Sequence, residues 1–376
     1  MARRQPEYVY RRRRLAALAV AAAILLAVLL VGSTILDGED ERGGPSPDPL
    51  AGVTLEQLLG QRLMVRMTDS GTPELVELAR RGAIGGVILF PPPDIPPTEM
   101  SHEVGRLQRA ASEGGNPPLL VAIDQEGGPV KRLPAGPPER SAAALGAAGD
   151  ADAARAEGAD TAGYLDRFGV TVDLAPVLDV PEAGSSFVAD RAFGTDPDTV
   201  SRIGVAFAEG LAEGGVAATA KHFPGLGSAT VNTDLAPSVV DASPRELRDD
   251  MAPFRGAVKA GIGLVMLSNA TYAGLDPEAP AGLSTRTVRE LRERLGFDGV
   301  VITDDLLAGA IASTHSAPDA AVEAARAGAD ILLFARATEP EEIHRVLLRA
   351  AKNGRLERGG LEESYLRIAA LKEGLG

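Results

Sequence analysis

Eight short apolar runs alternate with longer amphipathic stretches along most of this chain. Because each run is apolar at nearly every position, it predicts a strand buried on both faces, as in a parallel sheet. The stretches between the runs carry apolar residues at helical spacing and end at glycine. This alternation predicts an α/β fold, a (β/α)8 TIM barrel, and leaves a doubly wound open sheet as the alternative. The runs are RLMVRM (62–67), GGVILF (85–90), LLVAID (119–124), VTVDLAP (170–176), VAATAK (216–221), GLVMLS (263–268), GVVITD (299–304) and ADILLF (329–334).

The chain begins with a basic segment that is followed by a long uncharged one. Four consecutive arginines precede an uncharged run at 15–36, which as a helix would be about 33 Å long and could cross a bilayer. Because basic flanks stay inside, we expect a cytoplasmic tail (1–14), a transmembrane anchor and an exported body. A cleaved signal peptide is the main alternative. The acidic, Gly/Pro-rich segment 37–52 predicts a flexible linker to the barrel domain at 53–376.

Composition excludes several kinds of partner and chemistry. The net charge is −14 although the first 14 residues are basic, so the body is acidic and we expect no nucleic-acid partner. The chain has no cysteine, which excludes disulfides, thiolate metal sites and cysteine nucleophiles. Of the four histidines, only His222 lies at the end of a predicted strand. A catalytic zinc site of three histidines is therefore not available, and we expect no metal or organic cofactor.

Polar side chains cluster at the predicted carboxyl ends of the strands, where barrel enzymes place their chemistry. Any one of them could cap a helix or lie in solvent, but a barrel brings them all to one rim. Carboxylates with a Lys–His pair and arginines suit carbohydrate chemistry. Glycoside hydrolysis needs a carboxylate nucleophile and a proton donor, and sugar hydroxyls need charged and bidentate partners. The strand-end residues are Asp124, Asp173 with Asp179, Lys221 with His222, Asn269, and Asp304 with Asp305.

Five motifs in the body resemble the signatures of glycoside hydrolase family 3. They occur in the family's order over roughly residues 54 to 375, and they most resemble the bacterial single-barrel β-N-acetylhexosaminidases that act on peptidoglycan fragments. The resemblance implies a retaining, β-N-acetylhexosaminidase-like glycosidase without a second large domain. The motifs are AIDQEGGPVKRL (122–133), DLAPVLDV (173–180), DRAFGTDP (190–197), AKHFPGLG (220–227) and GFDGVVITDDL (296–306).

The resemblance also implies roles for individual residues. The aspartate that ends the family's nucleophile strand matches Asp304. A lysine and an imidazole suit a polyhydroxylated ring, because one is a compact charged donor and the other an adjustable one. The positions that contact the sugar in the family match Asp124, Arg132, Arg191, Lys221 and His222.

One loop departs from the family's pattern. The subgroup reads K-H-F-P-G-H-G and then carries D-S-H, whose histidine, backed by the aspartate, is the general acid/base. Here Leu226 replaces the histidine between the two glycines of the first motif, while Asn232 and Asp234 replace the aspartate and histidine of the second motif. Three interpretations remain. Asp234 is the proton donor with Asn232 as hydrogen-bond support, a carboxylate on a neighbouring loop is the donor, or turnover is lost and the barrel binds wall glycans.

The resemblance thus implies an enzyme that removes terminal β-linked N-acetylglucosamine, or a related hexose, from peptidoglycan-derived glycans. We expect a monomer in the cell membrane with an extracytoplasmic barrel, or a secreted protein if the N-terminal segment is cleaved. Its expected partners are the glycan and, through that segment, the membrane. Because the family's Asp–His acid/base pair is replaced, two alternatives stay open. One is a β-glycosidase of other specificity, and the other is a barrel that binds glycans without turnover.

Overall fold

The structure, a computed structural model, describes residues 49–67, 73–182 and 186–375. The predicted cytoplasmic tail and transmembrane segment lie outside the described residues, as does most of the predicted linker. Within the described ranges, no helix is both long enough and apolar enough to cross a membrane. From Gly52 onward the described residues form one compact unit.

Eight of the strands form one sheet in which every neighbouring pair is parallel. In chain order the strands are β1 (Leu63–Met67), β2 (Gly86–Leu89), β3 (Leu120–Ile123), β4 (Gln125–Gly127), β5 (Val130–Lys131), β6 (Val172–Asp173), β7 (Ala217–Phe223), β8 (Val239–Val240), β9 (Leu264–Leu267), β10 (Thr271–Tyr272), β11 (Asp276–Pro280), β12 (Val300–Thr303) and β13 (Leu332–Phe334).

The order of the strands makes this sheet a nearly closed barrel. It runs β12–β9–β7–β6–β3–β2–β1–β13, and its two ends meet where Ile302 pairs with Ile331. Every barrel strand overlaps one of the eight predicted apolar runs. The predicted parallel α/β barrel is therefore confirmed, and the open-sheet alternative is wrong.

Helices follow or surround the barrel strands, and their ends are set by local sequence. Asp196 caps the helix that begins at Pro197, because its carboxylate accepts the Thr199 N–H at 2.9 Å. The helices are α1 (Leu55–Gly60), α2 (Pro73–Arg80), α3 (Pro97–Glu113), α4 (Ala142–Ala148), α5 (Ala151–Asp166), α6 (Pro197–Glu213), α7 (Pro244–Asp250), α8 (Ala252–Lys259), α9 (Thr285–Arg289), α10 (Gly309–Ala312), α11 (Ala317–Ala327), α12 (Pro340–Lys352) and α13 (Arg358–Glu373).

Alternate residues of the strands fill the barrel interior with apolar side chains. Met64, Ile88 and Leu333 belong to this core and are almost fully buried. Because side chains alternate along a strand, the next inward-facing residue of β1 after Met64 is Arg66. On this strand a charged side chain therefore lies at the carboxyl end of the apolar core.

Side-chain oxygens close the last seam of the barrel, between β12 and β13. The Thr303 hydroxyl accepts the Leu333 N–H at 3.0 Å, and the Asp305 carboxylate accepts the Ala335 N–H at 3.0 Å. These bonds satisfy backbone groups that a regular ladder would otherwise pair. The seam thus depends on specific side chains next to Asp304.

Two features differ from the sequence-based prediction. The predicted strand at 170–176 shortens to β6, because Pro176 has no N–H to donate, and pairing with β7 resumes at Val177. The hairpin β4–β5 and a three-stranded sheet of β8, β10 and β11 were not predicted. Their strands are two to five residues long, too short for periodicity to reveal.

Candidate active site

A cavity of about 440 Å³ opens at the carboxyl ends of the barrel strands. It brings together every residue that the sequence singled out for catalysis or sugar binding: Asp124, Arg132, Arg191, Lys221, His222, Asn232, Asp234 and Asp304. It is also lined by side chains that were not singled out, including Arg66, Phe90, Glu126 and Arg336.

Lys221 is the centre of a buried charge network on one wall of the cavity. Its Nζ lies 2.8 Å from Asp124 Oδ1 and 2.6 Å from Glu126 Oε1. Arg191 donates two hydrogen bonds to the Glu126 carboxylate, at 2.7 and 2.8 Å. Burial alone would lower the pKa of Lys221, but the two carboxylates outweigh it and raise the pKa. The lysine is therefore a fixed cation that holds β7 and the β3–β4 segment together.

Asp124 is held as a carboxylate by the cations around it. Burial would raise its pKa, but Lys221 and Arg132 outweigh that effect and lower it. The contact with Arg132 is long, at 3.5 Å, and the Nε of Arg132 is buried without a hydrogen-bond partner. The guanidinium carbons of Arg66 and Arg132 lie 4.4 and 4.8 Å from the centre of the Phe90 ring. Two arginines therefore share one aromatic side chain at this edge of the cavity.

His222 is oriented by a carboxylate behind the cavity wall. Its Nδ1 lies 2.7 Å from Asp179 Oδ2, and Asp179 Oδ1 accepts the backbone N–H groups of His222 and Leu226 at 3.1 and 2.7 Å. Burial would raise the pKa of Asp179, but His222 and these two N–H groups outweigh it and lower the pKa. Since Asp179 is thus ionised, Nδ1 of His222 carries a proton and donates it in the hydrogen bond to Asp179.

Asp304 follows β12 and differs from the other carboxylates of the cavity. Its Oδ1 accepts the Asp305 N–H at 2.7 Å. Burial raises its pKa and Asp234 adds to this, whereas His222 and Lys221 act in the opposite direction. Among the charged side chains that line the cavity in the described part of the chain, Asp304 and Arg66 are the two without an ion pair within 4.0 Å.

The loop after β7 packs its backbone against the start of α10. The side-chain oxygen of Asn232 accepts the backbone N–H of Asp234 at 2.9 Å, and the Asp234 carbonyl accepts the Gly309 N–H at 3.0 Å. A Cβ on Gly309 would lie 2.2 Å from the Leu235 carbonyl oxygen. The loop can approach this closely because residue 309 is glycine. Asn232 thus supports the turn rather than the carboxylate of Asp234.

Arg336 joins this loop to the end of β12. Its guanidinium lies 3.3 Å from the Asp234 carboxylate and 3.4 Å from that of Asp305, and it also donates to the carbonyl of Leu307. The Asp234 side chain is 58 % exposed. Asp234 therefore faces the mouth of the cavity rather than its floor.

Three of the strand-end residues named from the sequence do not line the cavity. One is Asp179, which orients His222, and the others are Asp173 and Asn269. Asp173 is buried and accepts the Gln125 N–H at 2.9 Å. Gln125 lies between Asp124 and Glu126 in the sequence. Asn269 donates to the Asp305 carbonyl at 2.8 Å. Both therefore support the segments that carry the cavity residues.

Within the described ranges, no group of histidine and acidic side chains is arranged to hold a metal ion. The polar chemistry of the cavity comes from paired charges that can orient hydroxyl groups and from one unpaired carboxylate that can react. A parallel barrel with such a cavity at its strand ends has the features of a glycoside hydrolase. The chain belongs to glycosyl hydrolase family 3, since residues 54–371 match the family's N-terminal domain.

Proteins that are similar in sequence or structure are named as glycosyl hydrolases and hexosaminidases. A secreted glycosyl hydrolase of Arthroderma benhamiae is 37% identical over 339 residues, which are 87% of this chain and 96% of the relative. The β-hexosaminidase LpqI of Mycobacterium tuberculosis is 30% identical over 386 residues, 96% of this chain and 97% of that protein. A family 3 β-N-acetylglucosaminidase of Paenibacillus sp. has a solved structure with a TM-score of 0.82 and 34% identity. The match covers 86% of this chain and 63% of that one, so the Paenibacillus chain is considerably longer.

Proposed function

We propose that this protein is a retaining glycosidase that removes terminal β-linked N-acetylglucosamine from peptidoglycan-derived glycans. The observation that carries the proposal is the state of Asp304, a carboxylate without an ion pair in the cavity of a family 3 barrel. The names of LpqI and of the Paenibacillus enzyme support the choice of sugar.

In this proposal Asp304 attacks the anomeric carbon and forms a covalent glycosyl-enzyme, which water then hydrolyses. The Lys221 network and His222 bind hydroxyl groups of the sugar, since both groups of side chains are fixed by buried partners before substrate arrives. Arg132 and Arg191 complete this sugar site. The unpaired Nε of Arg132 is a donor that a hydroxyl can use.

Asp234 is the proposed proton donor to the leaving group and the base that later activates water. It lines the same cavity as Asp304, and Asn232 fixes the turn on which it lies. The donor faces the mouth of the cavity, where the leaving group must depart.

A second candidate function is glycan binding without turnover. The pairing of Asp234 with Arg336 favours it, because an ion pair stabilises the ionised carboxylate and opposes proton donation.

One assay separates the two candidates. The full-length protein is incubated with 4-nitrophenyl β-glycosides of N-acetylglucosamine and of glucose. Release from the first substrate supports the hexosaminidase, and release from the glucoside alone indicates another β-glycosidase. No release from either, together with measurable glycan binding, supports the binding protein.

We also propose that the barrel acts outside the cytoplasm as a monomer, with 15–36 as its membrane anchor or signal. The basic flank before that run and the secreted relative support this location. Protease added to intact cells should digest the barrel. Digestion only after lysis would overturn the location, and light scattering tests the monomer.

A further inference from the structure

Arg66 is a second charge of the cavity that has no ion pair among the described residues, and it is opposite in sign to Asp304. The other cations that line the cavity, Arg132, Arg191, Lys221 and Arg336, each contact a carboxylate within the described residues. Arg66 contacts the Phe90 ring instead, at 4.4 Å. Since a charge at the edge of a core costs free energy unless it finds a partner, a ligand is the natural source of the missing anion.

The position of Arg66 in the barrel indicates which part of a ligand it meets. Asp304 follows β12 and Asp124 follows β3, and three strands separate these two in either direction around the barrel. A sugar whose anomeric carbon faces Asp304 and whose far hydroxyl groups reach Asp124 therefore spans the cavity. One edge of its ring faces β7, with Lys221 and His222, and the other edge faces β1, with Arg66.

Exposure separates Arg66 from the residues at the mouth of the cavity. Arg66 is a residue of β1 itself, in register with Ile88 of β2, and it follows Met64 on the inward face. Its side chain lines the cavity and is only partly exposed, whereas Asp234 and Leu235 lie at the mouth, where Leu235 is 78% exposed. A group that meets Arg66 thus belongs to the sugar held in the cavity.

Arg132 adds a second donor at the same edge. Its guanidinium contacts the same Phe90 ring as Arg66, and its buried Nε has no partner. The nearest carboxylate, Asp124, is already bound by Lys221 at 2.8 Å. Guanidinium groups with free N–H donors bind carboxylates and phosphates in preference to neutral oxygens.

We propose that Arg66, with Arg132 beside it, binds an anionic substituent, a carboxylate or a phosphate, on the sugar in the cavity. This inference rests on the proposed function, because Asp304 and Asp124 orient the sugar. The terminal N-acetylglucosamine of the natural substrate then carries an acidic substituent, and the unsubstituted sugar is the weaker ligand.

Equilibrium binding tests the inference without requiring turnover. Calorimetry with the full-length protein compares N-acetylglucosamine with its 6-phosphate, with N-acetylmuramic acid and with glucuronic acid. At least one of the acids should bind about tenfold to a hundredfold more tightly than N-acetylglucosamine, as a charge-assisted contact predicts. The phosphate and carboxylate arms identify which acid the site takes.

Variants identify the residue responsible. Arg66→Met should reduce the ratio of acidic to neutral affinity by about tenfold or more, and Arg66→Lys should keep part of the preference. Arg326→Met is the matched control, because Arg326 lies on α11 in an exposed pair with Glu323 and should leave the ratio as it is. Thermal unfolding verifies that each variant is folded.

Two results would overturn the inference. One is equal affinity of all four sugars for the unaltered protein. The other is an equal loss for acidic and neutral sugars in Arg66→Met and Arg66→Lys, which would make Arg66 a hydroxyl donor. These results are distinct from failure of the proposed function. If the protein binds an acidic sugar preferentially but hydrolyses no glycoside, only the proposed function fails. If it hydrolyses the neutral glycoside but shows no preference for acidic sugars, only the role of Arg66 fails.

Discussion

The guanidinium of Arg336 lies 3.3 Å from the carboxylate of Asp234. An ion pair favours the ionised form of a carboxylate, whereas a proton donor must carry its proton when substrate arrives. If Asp234 is the donor, Arg336 opposes it in this conformation and must lose this contact when substrate binds.

Replacing Arg336 should therefore favour turnover of substrates with poor leaving groups. In Arg336→Met the Asp234 carboxylate no longer has to leave an ion pair when substrate binds, so kcat/KM should rise for glycosides with poor leaving groups and change little for activated nitrophenyl glycosides. The ratio of the two is measured with and without Asp234→Asn. An unchanged ratio, or an equal change in the Asp234→Asn background, would mean that another group donates the proton.

Removal of Asp234 should affect poor leaving groups most. Asp234→Ala should slow hydrolysis of natural glycosides by about 10²- to 10⁴-fold and that of activated nitrophenyl glycosides far less. Azide should partly rescue the activated substrate and give the β-glycosyl azide, because azide needs no base to attack the glycosyl-enzyme.

The matched control for this variant is Asn232→Ala, which loosens the turn but keeps the carboxylate. We expect a milder effect in the same direction. Equal slowing of good and poor leaving groups, with no effect of azide, would assign the loop to shaping the cavity.

Removal of Asp304 should abolish turnover while sugar binding persists. Asp304→Ala should lower kcat by about 10⁴-fold or more, as loss of an enzymic nucleophile does elsewhere. The Lys221–Asp124–Glu126 network is left intact, so calorimetry should still detect the sugar. Azide should now attack the sugar from the face that Asp304 occupied and give the α-glycosyl azide. Near-normal turnover of Asp304→Ala would refute the assignment.

Asp173 should make the protein less stable as pH rises. Burial, opposed by the Gln125 N–H and Lys221, raises the pKa of Asp173 to about 8 from its ordinary value of 3.8. Between these two values the folded protein holds a proton that the unfolded chain has lost, so the free energy of unfolding falls with increasing pH. The slope contributed by one such group is about 1.4 kcal/mol per pH unit.

Asp173→Asn should remove this slope, because an amide cannot ionise and its oxygen can still accept the Gln125 N–H. Urea unfolding from pH 5 to 8 measures the difference, which should grow in favour of the variant as pH rises. Asp173→Ala is the control and should be less stable than Asp173→Asn by about 1–3 kcal/mol at every pH, since the Gln125 N–H loses its acceptor. Parallel pH profiles for the unaltered protein and Asp173→Asn would contradict the prediction.

The barrel could be predicted from the sequence because each strand is specified locally. A run such as GGVILF is apolar throughout and too short for a helix, and it becomes β2. The alternation of such runs with helices also places their carboxyl ends on one rim, which is why Asp124, Lys221 and Asp304 could be grouped in advance.

The contacts among the site residues could not be predicted, because they depend on closure of the barrel. Nothing local shows that Glu126 pairs with Arg191, 65 positions away, or that Arg336 reaches Asp234, 102 positions away. Arg66 did leave a signal, since it is a charged residue inside an apolar run and shares the inward face with Met64. The apolar pattern of the strand hid that signal, because four of the other five residues in the run are apolar.

The closure of the barrel also dictates when the cavity can exist. β1 pairs with β13, and Arg62 donates to the carbonyl of Asp330, 268 positions further along the chain. Until the last strand has been synthesised and has docked, Asp304 lies at an open edge of the sheet. The loop that carries Asp234 then lacks its contact with Arg336. Contacts so distant in sequence form late in folding. A growing chain therefore carries the residues of the site without the site itself.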